Sequence, residues 1–281
     1  MIELHSRQDK GFLIHGTDHV MQFPAGEQHL VLNAPETEHP FLAIMRGASA
    51  EDLVQAGMWV DSVHQRGDKA TLAIPYLPGA RQDRGNPFGA KVYAEIINSL
   101  GADLVIAVDP HSNVMPSLVN NLRTYPVARL ISRFLAYRIG GERQAPYVGI
   151  IAPDEGARER AGSVARRLRL PLYQALKHRD FTTGRLSGFS CEDLPAEGRL
   201  LVVDDICDGG GTFRGLAEAT GLGPDRLDLW VTHGVFSGKA GLLTKHFGTI
   251  HTTDSHPGHT NPEVNATIHP LAGTLIQEAL S

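Results

Sequence analysis

Asp204 and Asp205 stand side by side after an aliphatic run, Leu200-Leu-Val-Val203, and Asp208 then leads into Gly209, Gly210, Gly211 and Thr212. Backbone N–H groups freed by a glycine run, with a threonine hydroxyl, can wrap a phosphate at the positive end of a helix. Ligands of open α/β sheets bind just beyond such strand ends, where the two carboxylates would meet sugar hydroxyls. A flexible loop before a helix would explain the glycines alone. It leaves unexplained two adjacent carboxylates at the end of a buried strand, whose desolvation needs partners.

Three further groups point to phosphate chemistry. Arg81, Gln82, Asp83 and Arg84 follow the run 70–74 and a Pro78-Gly79 turn; guanidinium forks suit triphosphate oxygens and stack on a purine, whereas a solvated salt-bridge cluster would leave them idle. Asp109 and His111 follow the run 104–108, and Asp154 follows 147–151. Such strand ends can bring an imidazole and carboxylates beside one phosphate chain with a Mg²⁺ that keeps several waters, although His111 by residue type is as readily structural. Lys177 and Arg179 are one residue apart after 172–176, so on a strand they point the same way and His178 points opposite. Two cations there neutralise charge on a moving phosphoryl group, or else form a solvated basic turn. His256 and His259, flanking Pro257-Gly258, read as surface-loop residues rather than metal ligands.

The elements that must hold these residues alternate. Aliphatic or β-branched runs at 40–44, 70–74, 104–108, 147–151, 200–203 and 227–232 lack polar alternation and read as strands buried on both faces. Helical patterns follow Ser49 toward Gly67, run along 92–100, and cover 127–137, 157–169, 212–219 and 272–280. Strand and helix in turn predict parallel α/β layers, and the connector 140–145 divides the chain into halves 1–140 and 141–281. At 281 residues, 42% hydrophobic and 20% charged, with 26 Lys and Arg against 31 Asp and Glu, the chain can bury a core and lacks the basic excess of a nucleic-acid or membrane-surface binder. No apolar run approaches the ~20 residues of a membrane span. The first ten residues mix charges where a signal peptide needs an apolar stretch, so a cytoplasmic location is expected. Cys191 and Cys207 are too few and too far apart for a disulfide framework.

The 204–212 stretch resembles the phosphoribosyl-pyrophosphate motif shared by type I phosphoribosyltransferases and ribose-phosphate diphosphokinases. Ile74-Pro-Tyr-Leu-Pro-Gly-Ala-Arg-Gln-Asp-Arg84 and Ile106-Ala-Val-Asp-Pro-His111 look like two diphosphokinase motifs that simple transferases lack. The likeness continues through Ala152-Pro-Asp-Glu-Gly-Ala157, Lys177-His-Arg179 and Thr232-His-Gly-Val-Phe-Ser-Gly238, covering nearly the whole chain in family order. It implies two tandem phosphoribosyltransferase-like, Rossmann-like parallel-sheet domains: an ATP-binding half, 1–140, and a ribose-phosphate-binding half, 141–281, with the last helix, about 271–281, packing back on the first half. It also implies that Asp208, Gly209, Gly210, Gly211 and Thr212 hold a sugar 5-phosphate and Asp204 with Asp205 the ribose hydroxyls. Arg81, Gln82, Asp83 and His111 would serve ATP, His111 and Asp154 would hold Mg²⁺, and Lys177 and Arg179 would lie on a flap over the transferring diphosphate. Phe23 and Glu27 resemble residues that reach the adenine of a neighbouring subunit, so a homo-oligomer acting on small molecules is expected; Ala25 departs from the polar residue usual there.

Other departures concern regulation and acceptor. The loop 85–89 is shorter than in common bacterial and animal members, and 33–40 lacks the usual basic stretch, which disfavours an allosteric phosphate and ADP site. Gly209 replaces a larger residue, an opening that would admit a substituted 5-phosphate such as the terminal ribose of ADP-ribose, the acceptor an NAD-rebuilding route would need. A non-catalytic nucleotide-binding homologue is a third reading, and a phosphoribosyltransferase a fourth that leaves 81–84 and 177–179 without an assignment. Lys177→Ala should lower turnover by orders of magnitude with the fold intact. Near-normal turnover in a steady-state assay would remove it from the transition-state role.

Overall fold

Residues that lose side-chain freedom in a helix, chiefly Val and Ile, fill the runs that become strands. The computed structural model describes residues 2–8, 11–15, 20–31, 40–139, 142–179, 186–191 and 193–281. In chain order these form β1 (Ile2–Gln8), β2 (Gly11–His15), β3 (Val20–Gln22), β4 (Gln28–Leu30), β5 (Pro40–Met45), α1 (Ala50–Gln65), β6 (Thr71–Ala73), α2 (Gly89–Ser99), β7 (Leu104–Val108), α3 (Val114–Leu118), β8 (Leu122–Tyr125), α4 (Val127–Phe134), β9 (Tyr137–Ile139) and β10 (Glu142–Gln144). There follow β11 (Gly149–Ala152), α5 (Arg158–Leu168), β12 (Leu172–Arg179), β13 (Leu186–Cys191), β14 (Leu200–Cys207), α6 (Gly211–Thr220), β15 (Leu227–Gly234), β16 (Ile250–Thr253), β17 (Thr267–His269) and α7 (Ala272–Ala279), with 3-10 helices at Ala240–Lys245 and Pro257–Thr260. The chain divides into two units, Met1–Tyr125 with Leu271–Ser281, and Pro126–Pro270. This division falls after Tyr125, ahead of the connector read from the sequence.

The first unit carries a sheet in the order β2-β1-β5-β6-β7-β8. β5 to β8 are parallel, and β1 runs antiparallel to both β2 and β5. α1 begins at a capping box: the Asp52 N–H donates to Ser49 Oγ at 3.1 Å and the Ser49 N–H to Asp52 Oδ2 at 3.2 Å. Its stripe Leu53, Ala56, Trp59, Val60 and Val63 is buried in one core with Leu72 and Ile74. Each such side chain stabilises the unit by roughly 1.5–3 kcal/mol. α7 packs on β5 and β7, and Arg123 holds its end by donating to the Glu278 carbonyl at 2.5 Å.

The second unit carries a sheet in the order β13-β12-β11-β14-β15-β16-β17, parallel except for β13. The chain leaves β11 to one side for β12 and returns to its other side for β14. The strand order therefore reverses between β11 and β14, the kind of place where open α/β sheets bind ligands. β14 is longer than the aliphatic run indicated, because pairing with β15 continues to Cys207 opposite Gly234; the two carboxylates lie inside the strand, not after it. The helix expected over 127–137 stops at Phe134, and Tyr137 and Ile139 enter the β9–β10 ribbon.

A polar chain runs across β15, β16 and β17 of this sheet. Arg199 Nη1 and the Tyr147 hydroxyl donate to Asp228 at 2.6 and 3.2 Å; the Tyr147 oxygen is 3.3 Å from His251 Nε2, and His251 Nδ1 is 3.1 Å from His269 Nε2. With the Tyr147 proton on Asp228, His251 Nε2 donates to the Tyr147 oxygen, and a neutral His251 then accepts at Nδ1 from His269. Burial pushes His251 down to about 4, and burial with the neighbouring His251 does the same to His269. Folded pKa values below the unfolded 6.5 mean that the unfolded chain binds more protons between the two, so stability falls as pH drops from 6.5 toward 4, by at most about 3 kcal/mol for His251 and by less for the more exposed His269, whose charge solvent screens. Urea unfolding across that window should show the loss, and His251→Gln should flatten the slope by about one proton's worth, 1.4 kcal/mol per pH unit; an unchanged slope would mean that His251 is not held neutral.

Candidate active site

In the second unit β14 carries the site. Asp204 Oδ1 accepts the Asp205 N–H at 2.9 Å. Arg160, from α5, reaches both carboxylates, Nη1 lying 3.6 Å from Asp204 Oδ1 and Nη2 3.4 Å from Asp205 Oδ2. The three side chains are 9%, 15% and 4% exposed. Burial, then the adjacent Asp205, holds the Asp204 carboxyl well above the usual range, with Arg160 opposing and Asp154 adding to the shift. Asp154 follows β11, and its Oδ1 accepts the Ala157 N–H at 3.0 Å.

Past Cys207 the chain turns into α6. Ser237 Oγ donates to Asp208 Oδ1 at 2.5 Å, and Val235 and Phe236 both donate N–H to the Cys207 carbonyl at 3.0 Å. Gly210 has φ +72, and a Cβ there would sit 2.9 Å from Leu243, so this glycine is required by backbone and packing together. Gly209 and Gly211 are not: a Cβ on Gly209 would come no nearer than 3.9 Å, to the Ser237 carbonyl, and one on Gly211 would meet nothing within 4 Å. Their bare backbone instead leaves the space over the N-terminus of α6 open, beside the half-buried Thr212. Burial first, then Asp204 and Asp208, pushes the Cys207 thiol up to about 12, which removes it as a nucleophile.

The first unit gathers its 81–84 and 109–111 residues at one end of the sheet. β6 and β7 are parallel neighbours, so the loop holding Arg81, Gln82, Asp83 and Arg84 and the turn holding Asp109 and His111 leave from the same end. Gly79 has φ +75 and its Cβ would enter the Tyr93 ring, which lets the loop lie flat on α2. Gln82 is anchored at both backbone atoms, donating to Gly79 and accepting from Ala90 at 2.8 and 3.0 Å, while Arg81, Gln82 and Arg84 are exposed and Asp83 lies 3.6 Å from Arg84 Nε. Asp109 is buried at φ +43 with its N–H on the Tyr125 carbonyl at 3.0 Å; that bend brings His111 to the surface. Phe23 and Glu27 are exposed in the β3–β4 turn, closed by bonds of 2.8 Å from the Gly26 N–H to Phe23 and from the Phe23 N–H to Glu27.

Lys177 and Arg179 have their backbones in β12, opposite Phe189 and Leu186 of β13. The register shifts between His178 and Arg179, which face Gly188 and Leu186, so the extra residue is Ser187 of β13. The side chains of Lys177 and Arg179, the segment 180–185 and the stretch 33–39 lie outside the described residues. Among the described residues no group of three His, Cys, Asp or Glu side chains is arranged to hold a metal. His111 belongs to the first unit and Asp154 to the second. His256 Nδ1 accepts the Gly258 N–H at 3.1 Å and His259 Nδ1 bonds the His256 carbonyl at 2.7 Å, which accounts for both rings within their 3-10 turn.

No protein-family model matches the chain. A ribose-phosphate pyrophosphokinase of Methanopyrus kandleri is 32% identical over 272 residues, 91% of this chain and 88% of that protein. The enzymes of the same name from Cereibacter sphaeroides and Granulibacter bethesdensis are 32% and 34% identical over 182 residues each, 62% and 61% of this chain, and those matches span only 52% and 56% of their own length. Among solved structures, a phosphoribosylpyrophosphate synthetase from Mycobacterium smegmatis superposes with a TM-score of 0.70 at 21% identity, covering 93% of this chain and 88% of that one. The fold is thus the two-unit α/β fold of that structure.

Arg160, Arg214 and Ser237 are the site residues that sequence reasoning missed. Arg160 had a signal: on α5 it lies one turn before Val164 and joins the buried face of Ala161, Ala165 and Leu168, where an arginine needs a buried anion. Arg160→Met should leave two uncompensated carboxylates and lower the unfolding free energy by about 3–5 kcal/mol at pH 7. Urea titration checks this, and a loss below about 1 kcal/mol would mean that water already solvates the pair.

Proposed function

The chain belongs to the ribose-phosphate pyrophosphokinase family, whose members are diphosphotransferases, and on that premise we propose that it transfers the β,γ-diphosphate of ATP to the C1 hydroxyl of ribose 5-phosphate. The observation that carries this reading is the sheet reversal at β11 and β14, with Asp204 and Asp205 inside β14 and the 208–212 loop following it. In the reaction the C1 oxygen bonds to Pβ, and the bond from Pβ to the oxygen shared with Pα breaks. The electron pair leaves on AMP, and the hydroxyl proton passes to solvent.

Each residue then has a task. The α6 N-terminus with Asp208 to Thr212 receives the 5-phosphate, and Asp204 with Asp205 orients the ribose hydroxyls. Arg81, Gln82, Asp83 and His111 bind ATP, and Lys177 with Arg179 neutralises the charge that moves toward the leaving oxygen. The donor set fits Mg²⁺: Asp154 raises the Asp204 carboxyl by like charge, and oxygen donors with retained waters are what this ion takes. Asp154 would hold it, and when bound it would offset phosphate charge. Phe23 and Glu27, at the tip of an exposed ribbon, suit contact with another subunit's nucleotide, which makes a homo-oligomer part of the proposal. No helix of the described residues is long and apolar enough to cross a membrane, and the supply of ATP and sugar phosphate places the reaction in the cytoplasm.

One observation favours a second acceptor. Neither backbone nor packing requires Gly209 to lack a side chain, and the resulting gap suits a 5-phosphate carrying a further group, as in ADP-ribose.

Purified protein with ATP and Mg²⁺ should release AMP when given ribose 5-phosphate, read by chromatography with mass detection. AMP formed only with ADP-ribose would transfer the reading to that acceptor, and silence with both would leave a binding homologue. Asp208→Ala should raise KM for ribose 5-phosphate by about tenfold or more with KM for ATP little changed; an unchanged KM for the sugar would put the phosphate elsewhere.

A further inference from the structure

A groove of about 490 Å³, lined by Gly238, Lys239, Gly241, Leu242 and Glu263, lies beside the 208–212 loop. Ribose 5-phosphate itself needs none of it. Its walls are fixed by the contacts that fix the loop. Arg214 Nη1 donates to the carbonyls of Gly209 and Lys239 at 2.8 and 3.2 Å, holding the two strands of chain side by side. Leu243 packs on Gly210 while its neighbour Leu242 is 38% exposed, and Gly241 lies so close to Glu263 that a Cβ would come within 2.8 Å of it. Asn261 ties the far wall by donating to the Phe236 carbonyl and accepting the Glu263 N–H at 2.8 and 2.9 Å.

The Gly209 gap adjoins the groove. A Cβ there would come within 3.9 Å of the carbonyl of Ser237, the residue before the groove begins, so a group attached to a phosphate on the loop would lie next to the groove. An exposed lysine, an exposed leucine and a carboxylate supply an anion partner, an apolar face and a hydroxyl or amine acceptor, in a volume suited to a small organic group. We propose that this groove receives the nucleoside phosphate portion of a nucleoside diphosphate ribose, whose terminal ribose is the diphosphate acceptor. The inference rests on the reading of 208–212 as the 5-phosphate site. The bonds made and broken at C1 and Pβ are the same, and the anhydride between the acceptor's own two phosphates is untouched.

The test compares wild type with Lys239→Glu and Leu242→Asp, both exposed positions, on ADP-ribose and ribose 5-phosphate separately, with thermal melting to confirm the fold. The expected result is that each variant lowers kcat/KM for ADP-ribose by about tenfold or more while ribose 5-phosphate stays within about twofold. Should Leu242→Asp fail to fold, Lys239→Glu carries the comparison alone. Wild type that consumes ribose 5-phosphate and ignores ADP-ribose overturns the groove and leaves the proposed function standing. Equal losses on both acceptors, or no loss on either, also overturn it, since the groove then does not read the acceptor. Failure to consume either acceptor removes the proposed function and the groove with it.

Discussion

Two adjacent carboxylates buried in a parallel strand are the feature around which the second unit is arranged. Desolvating one carboxylate costs several kcal/mol, and a second beside it adds repulsion. Arg160 from the crossover helix offsets this, at 3.4 and 3.6 Å. The strand cannot end at the carboxylates, because its ladder with β15 runs on to Cys207 and brings Asp208 to the Ser237 hydroxyl. From there Gly210, in the left-handed region against Leu243, turns the chain into α6. The 208–212 loop is thereby tied down by the Asp208 carboxylate on Ser237 and by Arg214 on the Gly209 carbonyl, next to the backbone bonds that Val235 and Phe236 make to Cys207.

The first unit solves a similar problem with less burial. Its exposed arginines and His111 are long or mobile groups, and what is fixed is their point of departure. Asp109 at φ +43 and Gly79 at φ +75 set two sharp turns at neighbouring strand ends.

How much of this was legible in the sequence depended on the range of the interaction. The run 104–108 coincides with β7, and the helix expected from Ser49 begins at a capping box, because aliphatic content and cap chemistry are local. The pairing of Asp204, Asp205 and the glycine loop with a strand and a helix was legible for the same reason. The end of β14 was not, since apolar content stops at Val203 while hydrogen bonding to β15 does not. The antiparallel strands β1, β2 and β13 at the sheet margins carry mixed sequences that no period marks. Arg160 and Ser237 join the site from 44 and 29 residues away from Asp204 and Asp208, and only three-dimensional pairing reveals such partners. The cation pair on β12 was read from spacing, and the register shift beside it leaves Ser187 of β13 as the extra residue.

The central claim is that the sugar oxygen is the nucleophile and Pβ the centre attacked. Ribose 5-phosphate labelled with ¹⁸O at C1, turned over with ATP and Mg²⁺ and analysed by mass spectrometry and phosphorus NMR, tests it directly. The account predicts that the label is retained in the bridge between C1 and the transferred diphosphate, and that AMP is unlabelled. Release of pyrophosphate with label bound to AMP would contradict it.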